Sequence, residues 1–290
     1  MQSKKNIDKV VFDVLKSSGA LGEFPTPVDK VLNYSELIVN DSRDIKEIPK
    51  HYRTRSAELL KKALRKLNGI LDRQEKTIYI DPNQLPSRKK FVKLHEVGHH
   101  VLPWQRKFYE IIEEDETTVS SDVTDDFEVE ANMFASGALF QLDRFEEEMR
   151  KLPLEIGSPM ALAKTFGASN HATLRRYVEY SPKRCALLVL KDKKELHCSV
   201  RNYFQSPNFT AEFGTIKWEE TLGIEWSFVE DYILNKKFHK KGGFELVTSD
   251  GEVLSFDYHY FNNTWNAFIF IKPIGEHQSS RTKIVLKSFR

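Results

Sequence analysis

The sequence predicts an α+β protein, and three observations predict it. Up to about residue 180, apolar residues recur mostly at helical spacing. Beyond that point the chain turns to short runs rich in β-branched and aromatic residues. The composition, 40% apolar and 30% charged with no extended low-complexity tract, is that of a chain able to build a core. At 290 residues there is room for more than one unit, since domains run to roughly 100–200 residues. Three spans are expected: 1–150, 151–182 as a helical segment, and 183–290 as a strand-rich C-terminal α/β domain of unassigned role, with the break near Ser181.

In chain order, Ile7 to Leu15 reads as a short amphipathic helix, and Pro25 to Pro27 punctuates the chain before a helical stretch at Val28 to Leu32. From Arg55 to Leu67, the residues Ala57, Leu60, Ala63, Leu64 and Leu67 keep helical spacing until Asn68-Gly69 stops it. Ile70-Leu71 and Thr77 to Ile80, either side of the polar Asp72 to Lys76, form a hairpin. The strand Thr77 to Ile80 is either a core strand or one to which an extended substrate adds by main-chain hydrogen bonds. Pro86-Ser87 opens a helix carrying Phe91, Leu94, Val97, Gly98, Val101 and Leu102, limited by Pro103. Residues 105–126 lose periodicity and turn acidic, reading as a solvated loop or a patch that steers a basic substrate. A further helix is expected from Asp126 to Phe140.

Ser158 to Tyr180 reads as two short helices around Gly167, the pattern of a helix-turn-helix. Arg175 and Arg176 are the residues by which it would meet DNA, although a helical brace is the favoured reading. Strands are expected at Cys185 to Leu190, Leu196 to Val200, Phe244 to Val247, Val253 to Tyr258 around an Asp250-Gly251 turn, and Trp265 to Ile271.

The net charge of +2 gives no ground for a nucleic-acid partner, and Lys236, Lys237, Lys240 and Lys241 read as a solvated cluster. No apolar leader or 18-residue span implies export or a membrane partner. Two cysteines, Cys185 and Cys198, in a chain of this length imply a reduced, cytoplasmic protein with buried thiols.

One constellation carries chemistry. His95 and His99 stand four apart on the helix that starts at Pro86, so both imidazoles leave one face about one turn apart, as two tetrahedral zinc ligands require. Glu96 is beside them as the general base, while His100 points about 100° away and is not a ligand. The metzincin extension would need Gly and His where this chain has Leu102 and Gln105. The remaining solution is a carboxylate from a later helix. Glu128 is favoured, with Asn132 one turn on as a residue that orients a histidine from behind. Glu130 is the rival, about 200° around the helix from Glu128. Such a set, with one zinc ion per chain, makes residues 1–150 a small zincin-like metallopeptidase domain of gluzincin type.

At these residues the chain resembles the ImmA/IrrE family of zinc metallopeptidases. Phe91-Val-Lys-Leu-His-Glu-Val-Gly-His99 looks like that family's active-site helix, and Glu128-Val-Glu-Ala-Asn-Met-Phe-Ala135 like its glutamate helix. The strand Thr77 to Ile80 and the stretch Ala161 to Ser169 fall in the family's order, so the resemblance spans about residues 25–180. One departure is Phe140-Gln141-Leu142-Asp143, where the family usually ends its helix in a Leu-Leu-Met-Pro-like run. The resemblance implies a regulatory endopeptidase whose protein substrate is a helix-turn-helix repressor. The competing expectation is a DNA-binding or ligand-sensing regulator with a structural or vestigial metal site.

Overall fold

Ser3 caps the first helix, α1 (Lys4–Ser17), by accepting the Asn6 N–H, and Ile7, Val11, Val14 and Leu15 form its buried stripe. The computed structural model describes residues 2–41, 69–108, 121–234, 239–247 and 253–274. The helix expected over Arg55 to Leu67, most of the acidic segment, the Asp250-Gly251 turn, and Lys236 and Lys237 lie outside those residues. Among the described residues, no helix is long and apolar enough to cross a membrane.

After α2 (Val28–Tyr34), the strands β1 (Ile38–Asn40), β2 (Gly69–Asp72) and β3 (Thr77–Ile80) form a small sheet in the order β1-β3-β2. The expected hairpin is β2 antiparallel to β3. β1 runs parallel along the other side of β3. Thr77 to Ile80 is therefore the central strand of the described sheet, paired on both edges, and has no ladder left for an added substrate strand. That part of the expectation is corrected in favour of a core strand, with Ile78 and Ile80 fully buried.

Pro86 occupies the first turn of α3 (Pro86–Val101), where its missing N–H costs nothing. Pro103 ends α3 as expected, but it also starts a second helical segment, 103–108, where the sequence pattern suggested irregular chain. α4 (Ser121–Phe140) begins at Ser121 rather than Asp126.

α3 and α4 touch at Gly98. A Cβ there would sit 3.1–3.2 Å from Phe134 side-chain atoms and 3.3 Å from the Ala131 Cα, so the glycine sets the separation of the two helices.

The departure at Phe140 to Asp143 has a structural reason. Gln141 and Leu142 take left-handed conformations, φ +51° and +56°, which turn the chain out of α4. The Gln141 side chain, fully buried, then accepts the Gly22 N–H at 2.6 Å and donates to the Glu23 carbonyl at 2.6 Å. A polar residue at the helix end thus clamps the loop before α2, and Thr26 adds a bond from its hydroxyl to the Ala138 carbonyl. α5 (Arg144–Arg150), which the sequence pattern did not announce, follows and buries Phe145.

The chain divides into two compact units, residues 1–147 with 163–169, and 148–162 with 170–290. α6 (Gly157–Phe166) and α7 (Asn170–Glu179) are the two helices expected around Gly167, whose φ is +65°. Thr173, Leu174, Tyr177 and Val178 of α7 are buried. Its arginines are engaged within the chain: Arg175 pairs with Glu179 at 2.9 Å and stacks on Phe204, and Arg176 lies over the Tyr180 ring.

The second unit is built on β4 (Ala186–Lys191), β5 (His197–Gln205), β6 (Thr221–Gly223), β7 (His239–Val247), β8 (Val253–Asn262) and β9 (Ala267–Pro273), with α8 (Pro207–Phe213) and α9 (Ser227–Ile233) inserted. The sheet order is β6-β5-β4-β9-β8-β7 and every pairing is antiparallel, so this unit is α+β rather than the expected α/β. Leu188, Phe209, Phe228, Phe256, Tyr258 and Ile269 belong to its core. Cys185 and Cys198 are buried, as expected, and form no disulfide among the described residues. Lys240 is bonded to the buried Asp231 at 2.6 Å rather than solvated.

The Gly98 contact makes a direct prediction. Gly98→Val forces α3 and α4 apart and should lower stability by about 1–3 kcal/mol, the usual range for overpacking. Denaturant unfolding with an unchanged m-value measures it, and wild-type stability would contradict the contact.

Candidate metal centre

His95 and His99 are four residues apart on α3, and both are buried. Their Nε2 atoms are 3.0 Å apart, with the rings nearly perpendicular at 84°. Across the interface fixed by Gly98, α4 presents Glu128. Its Oε2 lies 3.4 Å from His95 Nε2, and its Oε1 lies 3.4 Å from His99 Nε2.

These separations match a tetrahedral zinc site. Zinc–ligand bonds of about 2.0–2.1 Å put neighbouring ligand atoms about 3.4 Å apart. Among the described residues, His95, His99 and Glu128 are the group of potential metal ligands whose atoms converge in this way. Two imidazoles and one carboxylate leave a fourth position, as catalytic zinc sites do.

The charges lean on one another. Burial raises the Glu128 carboxyl's proton affinity, but the hydrogen bonds to His95 and His99 outweigh it and hold its pKa well below the ordinary carboxylate range. Burial pulls His99 the other way. The Glu128 hydrogen bond and the Glu96 charge more than offset that pull, and the net direction is upward.

Glu96 is buried on the same helix. Gly69, the first residue of β2, passes close over it: a Cβ at Gly69 would lie 3.3 Å from Glu96 Oε1 and 2.3 Å from a Val92 methyl. Only glycine lets the strand approach the helix there. The Arg73 guanidinium bonds the His99 carbonyl at 3.0 Å, satisfying an end carbonyl of α3. His100 is half-buried, and its pKa is lowered by burial and by the Arg73, Arg106 and Lys76 charges; it takes no part in the ligand group.

Behind the ligands the arrangement differs from expectation. Asn132, half-buried one turn beyond Glu128, bonds neither Nδ1 atom. His99 Nδ1 is 2.8 Å from Gln105 Oε1, and His95 Nδ1 is buried with no hydrogen-bond partner among the described residues. Gln105 comes from the helical segment 103–108, which the sequence reading treated as irregular chain. Its signal was Pro103 as a helix start, with a polar residue two positions on, just after Trp104. Glu130, the rival ligand, faces away and accepts from Trp104 Nε1 at 2.7 Å and Gln105 Nε2 at 2.9 Å.

Residues 53–177 match the model of a peptidase family described as the IrrE N-terminal-like domain. No curated protein matches the chain. Among solved structures, a Mycobacterium tuberculosis transcriptional regulator is similar at a TM-score of 0.53 and 11% identity, over 93% of this chain and 76% of that one. At that identity the likeness is one of fold. Through that match, the segment 53–177 is similar to the ImmA/IrrE family.

Proposed function

We propose that the protein is a zinc-dependent endopeptidase with a gluzincin-type zincin core, and that it cleaves a helix-turn-helix repressor or a similar regulatory protein. The observation that carries the reading is the convergence of His95, His99 and Glu128 at tetrahedral zinc spacing beside the buried Glu96. The substrate class rests on the family, which is associated with such repressors, and on a fold likeness to a transcriptional regulator.

Zinc held by His95 Nε2, His99 Nε2 and Glu128 would supply Lewis acidity, which acidifies a water and polarises the scissile carbonyl. Glu96 is the general base: it takes the proton of the attacking water and returns it to the nitrogen of the leaving amine. The close pass of Gly69 shields one side of that carboxylate. Glu128, kept ionised by its two histidine contacts, brings one negative charge to balance the cation.

Metal analysis by mass spectrometry, with a peptidase assay, tests the reading. Wild type and Glu96→Gln should each hold about one zinc per chain, His95→Ala and Glu128→Ala should hold none, and Glu96→Gln should lose hydrolysis by at least ~100-fold. A wild type that stays zinc-free after reconstitution contradicts the proposal. DNA affinity falling steeply with salt would then favour the regulator with a vestigial site.

Acidity should act oppositely on the two forms. The raised His99 proton affinity makes protons compete with zinc from above the ordinary imidazole value of about 6.5 downward. Zinc affinity, read by chelator competition, should therefore weaken as pH falls. Without zinc the sign reverses for His99: the stabilisation from its raised pKa is complete below about 6.5 and disappears as pH climbs through the folded value. Zinc affinity that does not change with pH would contradict histidine ligation.

A further inference from the structure

We propose that Glu130 is a positioning residue for the metal centre: through the Gln105 side chain it sets the His99 ring in the tautomer whose Nε2 is free to bind metal. The proposal rests on the zinc reading above.

Gln105 is fully buried, so its amide has to be satisfied within the protein. Its Nε2 donates to the Phe127 carbonyl at 3.1 Å and to Glu130 Oε2 at 2.9 Å. A carbonyl and a carboxylate only accept. Turning the amide over would set its oxygen against both and lose two bonds, so the chemistry of the partners decides which end is nitrogen. The oxygen therefore faces His99 Nδ1 at 2.8 Å and must accept from it. Nδ1 therefore keeps its proton, and the one the ring gives up on binding metal comes from Nε2, the atom that faces His95 and Glu128.

Glu130 is itself held fast. Only 1% exposed, it receives the Trp104 indole N–H at 2.7 Å on Oε2 and the Gln2 main-chain N–H at 2.5 Å on Oε1. With the Gln105 amide these are three donors converging on two oxygens. Two positions apart on one helix, Glu128 and Glu130 diverge by about 200°. α4 thus sends one carboxylate to the ligand group and the other to the brace behind it. An amide rather than a carboxylate against Nδ1 orients the ring without adding a second negative charge at the centre.

The test uses the full chain. Glu130→Leu takes the acceptor away from the Gln105 amide. With the Phe127 carbonyl alone left to receive its NH₂, the amide no longer holds its oxygen firmly on Nδ1, and the tautomer is no longer selected. Zinc affinity by chelator competition should weaken about 10–100-fold, the usual effect of losing a partner behind a histidine ligand. Gln105→Leu, which deletes the acceptor, should lose a similar amount; thermal unfolding of the zinc-free proteins establishes that each variant is folded. A folded Glu130→Leu that binds zinc as tightly as wild type overturns the proposal.

A second readout needs no variant. In zinc-free wild type above the histidine titration range, nitrogen-15 NMR of the imidazoles should find the His99 proton on Nδ1; a proton on Nε2 overturns the proposal. A wild type that never binds zinc removes the metal-centre reading itself, which the tautomer measurement does not depend on.

Discussion

The approach of α3 to α4 at Gly98 is the constraint on which the centre depends. His95 and His99 are delivered by one helix and Glu128 by another, so the ligand spacing is set by how near the two backbones come. Phe134 and Ala131 fill the space a side chain at 98 would need. A methyl group there would push the carboxylate off the imidazoles by a few tenths of an ångström, on a scale where metal ligation tolerates little. Gly69 applies the same device on the other side, letting β2 close over Glu96. Two glycines, one between helices and one between strand and helix, shape the centre by their lack of a side chain.

Polar groups are buried around these contacts, and each is matched by chemistry rather than by solvent. Glu128 is kept ionised by its histidines, Gln105 is oriented by two acceptors, and Glu130 is surrounded by donors. In a low-dielectric interior these bonds are strong when complete and costly when broken. His95 Nδ1 is a buried ring nitrogen without a partner among the described residues. The two imidazoles are therefore unequal: His99 is bonded at Nδ1 by Gln105, and His95, among the described residues, is held by its contacts to His99 and Glu128.

Much of this was legible in the sequence because periodicity carries it. The helix at Pro86 carrying His95 and His99, the divergence of Glu128 and Glu130 around their helix, the hairpin before the first of these helices, and the paired helices around Gly167 all follow from spacing and turn residues. What was not legible depends on contacts distant in sequence. β3 became a central strand because β1, nearly forty residues earlier, pairs with it in parallel. Gln105 replaced Asn132 behind His99 because Pro103 starts a new helical segment that returns the chain to the ligand helix. The end of α4 makes sense only through Gln141 and the loop at Gly22 to Thr26. In the second unit β4, β5, β7, β8 and β9 were found but β6 was not, and the order of the strands in the sheet was not legible, since register depends on which strands meet.

The central claim is that two imidazoles of α3 and one carboxylate of α4 form a zinc centre. X-ray absorption at the zinc edge, on purified protein reconstituted with the metal, tests it most directly. A four-coordinate shell of nitrogen and oxygen at about 2.0–2.1 Å, with the outer-shell pattern of two imidazoles, is the predicted result. A shell containing sulfur, or six oxygens with no imidazole pattern, would contradict it.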